Sequence, residues 1–292
     1  MKKFSPVAAT LMFAVSAAAL ADNNTAVQLQ GGFANHANAD QASLFARYNY
    51  IEQVQFGFAN KADAVQDGTE FFSSIKQYQH GALNKAYSLQ DGGLFNHAYI
   101  HQSGAKNRAN TYQLWSVGNI AKVDQSGYFN KGEVYQSFAE FNYGAVSQHG
   151  KGNKGQVNQY FTEWSVGVVD QYGHENKATT DQYGEGLVSY TKQFGIANKA
   201  NVAQYGYYND SLIIQGGIYN RANVEQFGED LSQFTLQIGL GNKANTLQEW
   251  YGNRSYTGQF GILNHHYTTQ LGVYDNAYAT QVGVYNIGVI NQ

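Results

Sequence analysis

The sequence predicts an all-β protein, a β-solenoid of about twelve stacked strand-turn-strand coils. The main observation is a twelve-residue template, Q-x-G-x-x-N-x-A-x-x-x-Q, that recurs along almost the whole chain of 292 residues. Proline occurs once, at Pro6, so no later residue removes a donor from a β ladder. The chain contains no cysteine, so it can form no disulfide, and its stability must come from repetition.

Twelve full copies of the template are present. In every copy the first and twelfth positions are Gln, the third is Gly and the sixth is Asn. Successive copies start 25, 24, then 23 and finally 22 residues apart, so the period shortens toward the C-terminus. The copies start at Gln30, Gln55, Gln79, Gln102, Gln125, Gln148, Gln171, Gln193, Gln215, Gln237, Gln259 and Gln281.

Between full copies lie degenerate copies, which keep the flanking glutamines but only part of the template, as residues 182–193 do. A full copy and the degenerate copy that follows it would form one coil, and each would contribute a strand and a turn. Because side chains alternate along a strand, positions six, eight, ten and twelve share one face. Positions eight and ten are mostly small or β-branched, which suits a narrow interior. In nine copies Lys or Arg follows the Asn, so we expect this basic column to face solvent and to discourage lateral association. The Gly and Asn content disfavours helix, while disorder of the secreted monomer remains an alternative.

Stacking would place identical residues about 4.8 Å apart, so that buried amides can satisfy one another from coil to coil. We expect the third-position Gly and the sixth-position Asn to shape the turn, because both tolerate left-handed backbone. The predicted structural ladder comprises Gln171, Asn176, Gln182, Gln193, Asn198, Gln204, Gln215, Asn220, Gln226, Gln237, Asn242, Gln248, Gln259, Asn264 and Gln270.

The last copy is complete, and no cap is recognisable after it. Because an uncapped solenoid presents unpaired strand edges, the sequence predicts a polymer subunit. The predicted polymerisation edges are Gln30, Asn35 and Gln41 at one end and Gln281, Asn286 and Gln292 at the other.

The degenerate copies carry an outward aromatic stripe. Its members either form a contact surface or stabilise neighbouring strands as cross-strand pairs. The predicted stripe comprises Tyr190, Phe234, Tyr256 and Tyr278.

The N-terminus is typical of an exported protein. Residues 1–21 predict a signal peptide, with a charged start, an apolar run and an A-x-A cleavage site. Residues 22–29 then form a short lead segment, and residues 30–292 the solenoid. We therefore expect secretion and no integral membrane segment after cleavage. The acidic net charge of the remaining chain argues against nucleic-acid binding.

The template is similar to the curlin repeat of curli, the bacterial extracellular functional amyloid, and the likeness covers residues 30–292. The resemblance implies a homopolymer at the cell surface, exported through an outer-membrane secretion channel and supporting adhesion and biofilm matrix. It also implies a nucleator subunit as partner and possible contact with matrix polysaccharide. The regular, non-basic last repeat favours the major, fibre-forming subunit over the minor nucleator subunit.

The sequence contains no residue pattern typical of an enzyme active site. The adjacent acids Glu229 and Asp230 are expected in a solvated turn, and His265 and His266 lack further ligands at metal-binding spacing, so we expect no catalytic residue, cofactor or metal. A β-helical lyase or hydrolase would need longer loops, and the threonines that ice binding would use point inward. A monomeric surface β-solenoid that binds glycan through its aromatic face remains an alternative.

Overall fold

The computed structural model describes residues 14–17 (backbone only), 23–41 and 46–292. Every helix or strand element in these ranges is a β-strand, which confirms the all-β prediction. The predicted signal peptide lies outside the described residues except for 14–17, so it stays a prediction. The strands are β1 (Ala14–Ala17), β2 (Thr25–Phe33), β3 (His36–Asp40), β4 (Tyr50–Phe58), β5 (Lys61–Asp67), β6 (Ser74–Ala82), β7 (Lys85–Asp91), β8 (His97–Ala105), β9 (Arg108–Leu114), β10 (Ile120–Tyr128), β11 (Lys131–Ser137), β12 (Tyr143–Lys151), β13 (Lys154–Glu163), β14 (Val166–His174), β15 (Lys177–Glu185), β16 (Val188–Ile196), β17 (Lys199–Tyr207), β18 (Asp210–Ile218), β19 (Arg221–Glu229), β20 (Ser232–Leu240), β21 (Lys243–Tyr251), β22 (Arg254–Ile262), β23 (His265–Gln270), β24 (Asn276–Val284) and β25 (Ile287–Asn291).

The strands form two sheets. Sheet A contains β1 and the even-numbered strands, and sheet B contains the other odd-numbered strands. Neighbours from β2 onward are parallel, with ladder residues in register, so that Gln193 lies beside Gln215. The exception is β1, which pairs antiparallel with β2. The pairs from β2–β3 to β24–β25 make the twelve coils of a parallel β-solenoid, as the sequence predicts.

The first coil begins before the predicted boundary at Gln30. Strand β2 starts at Thr25, because a nine-residue strand of sheet A has five residues ahead of its ladder glutamine. Most of the predicted lead segment, residues 22–29, therefore belongs to the first coil.

The interior lies between the two sheets. In β5 the side chains of Ala62, Ala64 and Gln66 are buried, whereas Lys61 and Asp67 are exposed. This alternation confirms which face of the template points inward. The interior is tightly filled: a Cβ added to Gly132 or Gly144 would lie 2.6 Å from a valine Cγ1 of the opposite sheet.

The first turn, between sheet A and sheet B, needs two special backbone positions. The third-position glycine has a positive φ, and a Cβ on Gly195 would lie 2.1 Å from the carbonyl oxygen of Gly217. The fifth position is left-handed whatever its side chain, as at Ala197 with φ 54°. The sixth-position Asn shapes the turn as predicted, but not through a left-handed backbone: Asn198 has no positive φ, and its side chain acts instead through the hydrogen bonds described below.

The second turn, between sheet B and the next coil, explains the change of period. After its ladder glutamine, the second coil has seven residues before sheet A resumes, whereas the seventh coil has five. The longer turns are linked by isolated parallel bridges, such as Phe71 with Leu94 and Glu140 with Glu163. The pairing of β13 with β15 shifts between Gln159 and Thr162, where the shorter form begins.

Candidate functional site

A continuous glutamine ladder runs through sheet A at the first template position. The Nε2 of Gln171 donates to Gln193 Oε1, and Gln193 donates to Gln215 Oε1, each at 2.8 Å. The second Nε2 hydrogen is used across the interior, since Gln193 also donates to the Lys177 carbonyl at 3.0 Å. Each buried amide therefore joins three strands. The same donor direction links Gln30, Gln55, Gln79, Gln102, Gln125, Gln148, Gln171, Gln193, Gln215, Gln237, Gln259 and Gln281.

Sheet B carries a second glutamine ladder at the twelfth position. Gln182 donates to Gln204 Oε1 at 2.9 Å, and Gln204 donates to Gln226 Oε1 at the same distance. The bond from Gln270 to Gln292 is longer, at 3.2 Å. The ladder comprises Gln41, Gln66, Gln90, Gln113, Gln136, Gln159, Gln182, Gln204, Gln226, Gln248, Gln270 and Gln292.

The sixth-position asparagines form a third ladder. The backbone N–H of Asn198 donates to Asn176 Oδ1 at 3.0 Å. The Nδ2 of Asn198 donates to the Phe194 carbonyl of its own turn and to the Gly217 carbonyl of the next coil, both at 3.0 Å. One side chain thus closes its turn and fixes the next coil. The ladder comprises Asn35, Asn60, Asn84, Asn107, Asn130, Asn153, Asn176, Asn198, Asn220, Asn242, Asn264 and Asn286.

A fourth ladder, which was not predicted from the sequence, lies in the second turns. Asn119 N–H donates to Asn96 Oδ1 at 3.2 Å, and Asn142 N–H donates to Asn119 Oδ1 at 2.7 Å. Leu187 and Leu231 take the place of a polar residue in this column and interrupt it. The signal was an asparagine five or six residues after the twelfth-position glutamine, with a variable offset that hid it.

The two ends of the ladders have opposite hydrogen-bonding character. At the C-terminal end, Gln281 Nε2 donates to the His265 carbonyl and Gln292 Nε2 to that of Asn276. In the part of the chain described, neither has a glutamine Oε1 ahead of it, so each end amide offers a donor. At the N-terminal end, the ladder bonds of Gln30 and Gln41 use their Nε2, so the Oε1 of each is the acceptor that remains for an amide of a preceding coil.

The last coil is also apolar and exposed. Val282, Tyr285 and Ile287 are 72%, 70% and 77% exposed. A cavity of about 470 Å³ opens between the two sheets at this end. The inward-facing Asn286, Gly288 and Ile290 are half-buried, whereas the residues at the same positions in the coil before, Asn264, His266 and Thr268, are buried. The terminal coil therefore presents an incomplete interior.

His266 lies inside the eleventh coil, where most coils have alanine. Its Nε2 is 2.9 Å from Thr268 Oγ1, and its Nδ1 has no partner among the described residues. The ring fits because Gly288 follows it in the last coil; a Cβ there would lie 2.7 Å from Nδ1. Burial lowers the pKa of His266. The neighbouring His265 lies on the outer side of the strand.

Glu70 is the one carboxyl group that is fully buried among the described residues. It belongs to the second turn of the second coil, and neither carboxylate oxygen has a hydrogen bond of normal geometry there. Burial raises the pKa of Glu70 to about 7, an effect reduced by the nearby polar groups of Ser73 and Asn96.

The predicted aromatic stripe lies on the outer face of sheet A. Tyr190 and Tyr278 are exposed, whereas Phe234 and Tyr256 are half-buried. Phe234 and Tyr256 stack with ring centroids 5.3 Å apart. A longer array on sheet B was missed, because it moves diagonally between template positions instead of following one column. Its successive centroids lie 4.9 to 5.7 Å apart. The array comprises Tyr87, Tyr112, Tyr135, Tyr160, Tyr183, Tyr205 and Phe227.

The residues considered for catalysis or metal binding are separated. Glu229 and Asp230 are both exposed in a second turn. Within the described ranges, no three His, Asp or Glu side chains come together as a metal site would require. The same ranges contain no helix that is long and apolar enough to span a membrane.

Comparison with known families supports the repeat. Residues 173–206 and 195–228 match the model of the curlin associated repeat. A comparison with curated proteins found no match. The matched stretches contain the same Gln, Gly and Asn columns that form ladders along the whole solenoid. Residues 173–228 are therefore similar to the curlin associated repeat.

Proposed function

We propose that the mature chain, residues 22–292, is a structural subunit of extracellular curli-like amyloid fibres. Subunits add end to end, so that the last coil of one stacks on the first coil of the next, where the edge of β2 is free once β1 has been removed with the predicted signal peptide. The observation that carries the proposal is the complementary character of the two ends. The donors of Gln281 and Gln292 meet acceptors on Gln30 and Gln41 only when the subunits point the same way.

The asparagine ladder supports the same orientation. In every coil junction described, a backbone N–H donates back to the Asn Oδ1 of the preceding coil. Asn35 of an added subunit would donate in this way to Asn286 of the last coil. Such a head-to-tail contact does not close on itself, and it therefore gives an open filament.

The wider role follows from the curlin repeat. We infer secretion, assembly at the cell surface, and a non-catalytic part in adhesion and biofilm matrix, with a nucleator subunit and an outer-membrane channel as partners. The nucleator role is a weaker candidate for this chain, because its terminal ladders are as regular as its central ones. Glycan binding by a monomeric solenoid is weaker too, because stacked rings such as Phe234 and Tyr256 cover each other's faces.

The first test is assembly itself. Purified residues 22–292 should form fibres with a meridional reflection at about 4.8 Å and should bind amyloid dyes. A chain that stays a soluble monomer after prolonged incubation with seeds would contradict the proposal.

The second test is directed at the C-terminal ladder end. Replacing both Gln281 and Gln292 with Lys places two ammonium groups where glutamines must stack without water. Because an unpaired charge there is costly, elongation should slow by roughly tenfold or more. The matched control replaces Asn201 and Asn245, on the outer face of sheet B, with Lys. Equal elongation rates for the two variants, followed by dye fluorescence on preformed seeds, would count against stacking at this end.

A further inference from the structure

Positive charge is concentrated along one long edge of the solenoid. We define the basic edge as the residues from each first ladder glutamine to the first residue of the following sheet B strand. It contains eleven of the chain's Lys and Arg residues and a single acid, Glu175. Its cations are Lys61, Lys85, Lys106, Arg108, Lys131, Lys151, Lys154, Lys177, Lys199, Arg221 and Lys243.

Negative charge is concentrated along the opposite edge. We define the acidic edge in the same way, from each second ladder glutamine to the first residue of the next sheet A strand. Apart from the buried Glu70 it contains ten acids, against two cations, Arg47 and Arg254. Its surface acids are Asp67, Asp91, Glu140, Glu163, Glu185, Asp210, Glu229, Asp230, Glu249 and Asp275.

The two edges cannot neutralise each other within one subunit. They lie at opposite ends of strands of seven to nine residues, a separation of roughly 25–30 Å. That is several times the Debye length of about 8 Å at physiological ionic strength. Among the described residues, the ion pairs formed by the basic edge join Lys61 to Asp63 at 2.6 Å and Lys131 to Glu133 at 3.8 Å. Each edge therefore carries a row of like charges that an opposite row outside the subunit would relieve.

We propose that these solenoids associate side by side, with the basic edge of one copy against the acidic edge of another. The proposal deepens the fibre function proposed above, because end-to-end stacking would extend both rows along the filament. The rows also share the same repeat, since eight of the twelve coils, the second, the third and the fifth to the tenth, contribute a charge to both. A contact that is weak in one coil is then repeated along the solenoid, and long filaments associate more strongly than single subunits.

The aromatic residues of the acidic edge add to this contact. Phe138, Phe161 and Trp164 are 53%, 68% and 59% exposed, and all three have left-handed backbone, with φ between 50° and 53°. Bulky residues adopt this conformation at a cost, and here it turns the rings outward. Phe138 and Phe161 stack on each other, and Trp164 stacks on Phe141. The alkyl stems of lysine and arginine of a neighbouring copy can pack against the surface that these stacks leave exposed, while their charged ends pair with the acids.

The basic column was expected to discourage all lateral contact. In the proposed arrangement, repulsion between like charges prevents contact between two basic edges or two acidic edges. Contact between a basic edge and an acidic edge is favoured.

Salt provides the first test. Filaments viewed by electron microscopy should lie in bundles at about 20 mM salt and separate at about 0.5 M, where the Debye length is near 4 Å. Bundling that does not change with salt would overturn the proposal.

Charge reversal in three consecutive coils gives the decisive test. One variant carries Lys131→Glu, Lys154→Glu and Lys177→Glu; its counterpart carries Glu140→Lys, Glu163→Lys and Glu185→Lys in the same coils. Each should reduce the bundled fraction at low salt by roughly tenfold, because exposed ion pairs are worth about a factor of two each. The matched control reverses Lys76, Lys122 and Lys192 on the outer face of sheet A, and its bundling should equal that of the unmodified chain.

Mixing separately grown filaments of the two variants restores one unaltered basic edge against one unaltered acidic edge. We expect pairs of unlike filaments, which can be identified by labelling one variant with gold. If the mixture stays unpaired, or if the sheet A control loses bundling to the same extent, the edges are not the contact.

A failure of the proposed fibre function can be distinguished from a failure of the edge contact. The elongation rate of each variant on seeds is measured in the same samples, and it should equal that of the unmodified chain. If no chain forms filaments, sedimentation of the soluble solenoid tests the edges directly: self-association at low salt should fall in both edge variants and not in the control. Association that is equal in all four chains would overturn the proposal in that case.

Discussion

The two halves of the solenoid share their ladders and differ in their second turns. In the first six coils, β2 to β13, the second turn is long and is held by five of the six isolated bridges among the described residues. In the last six coils, β14 to β25, it is short, and most strands of sheet B extend to nine residues. The first turn keeps its two-residue length from Ala34–Asn35 to Tyr285–Asn286. The ladders and the first turn are thus common to all coils, and the chain varies in length at the second turn.

The interiors of the halves differ as well. The N-terminal half contains an additional short glutamine ladder, in which Gln53 donates to Gln77 Oε1 at 2.9 Å, and it contains the buried Glu70. The corresponding positions of the C-terminal half hold Ile213 and buried threonines such as Thr191 and Thr257, and Leu187 and Leu231 are buried in its second turns. The amides of the short ladder are hydrogen-bonded, whereas the hydroxyl groups of Thr191 and Thr257 have no partner among the described residues.

The largest effect should come from breaking the shared ladder, and it should be the same in both halves. Gln125 and Gln215 each accept from one ladder amide and donate to the next. Replacing either with Leu leaves buried donors and acceptors unpaired, so the free energy of unfolding should fall by about 3 kcal/mol. Urea unfolding of the soluble chain measures this, with Asn201→Leu on the outer face as control. A difference above about 1 kcal/mol between the two ladder variants would show that the ladder depends on the form of the second turn.

The ladder could be predicted from sequence because Gln, Gly and Asn recur at fixed offsets, and alternation along a strand then determines the inner face. Three features could not be predicted. The second asparagine column has a variable offset from the preceding ladder glutamine: Asn119 lies six residues after Gln113, whereas Asn209 lies five after Gln204. The left-handed position is defined by backbone geometry and accepts residues as different as Ala197 and Tyr219. The separation of charge between two edges becomes visible only when the position of both turns in every coil is known.

A second prediction concerns the N-terminal half alone and depends on pH. Burial raises the pKa of Glu70 from 4.5 to about 7. Its contribution to stability is therefore complete below pH 4.5 and is lost as pH rises through 7. Glu70→Gln removes the charge, and it should make the chain more stable at pH 8 by an amount of the order of 2 kcal/mol, with little effect at pH 4. The control Glu140→Gln changes an exposed carboxyl group of the same edge. Parallel unfolding curves against pH for the variant and the unmodified chain would contradict the assignment.

The smallest predicted effect is a change in the stability of the C-terminal coil. Acid should destabilise this coil, whereas it should stabilise the turn that contains Glu70. Burial lowers the pKa of His266, so its contribution to stability is present above its ordinary pKa of 6.5 and is lost as pH falls below that value. Protonation would place a charge between the eleventh coil and Gly288, and only the last coil covers it. We therefore expect β24 and β25 to open more readily at pH 5 than at pH 7.5, while the central coils are unchanged. Hydrogen exchange of these two strands is measured in the unmodified chain and in the variant His266→Gln at each pH. Because the intrinsic exchange rate changes with pH in both chains alike, the difference between them gives the effect of the buried ring. The variant His265→Gln changes the half-buried neighbour on the outer side of the same strand and serves as the control. If the response to acid persists in His266→Gln, the buried ring is not its source.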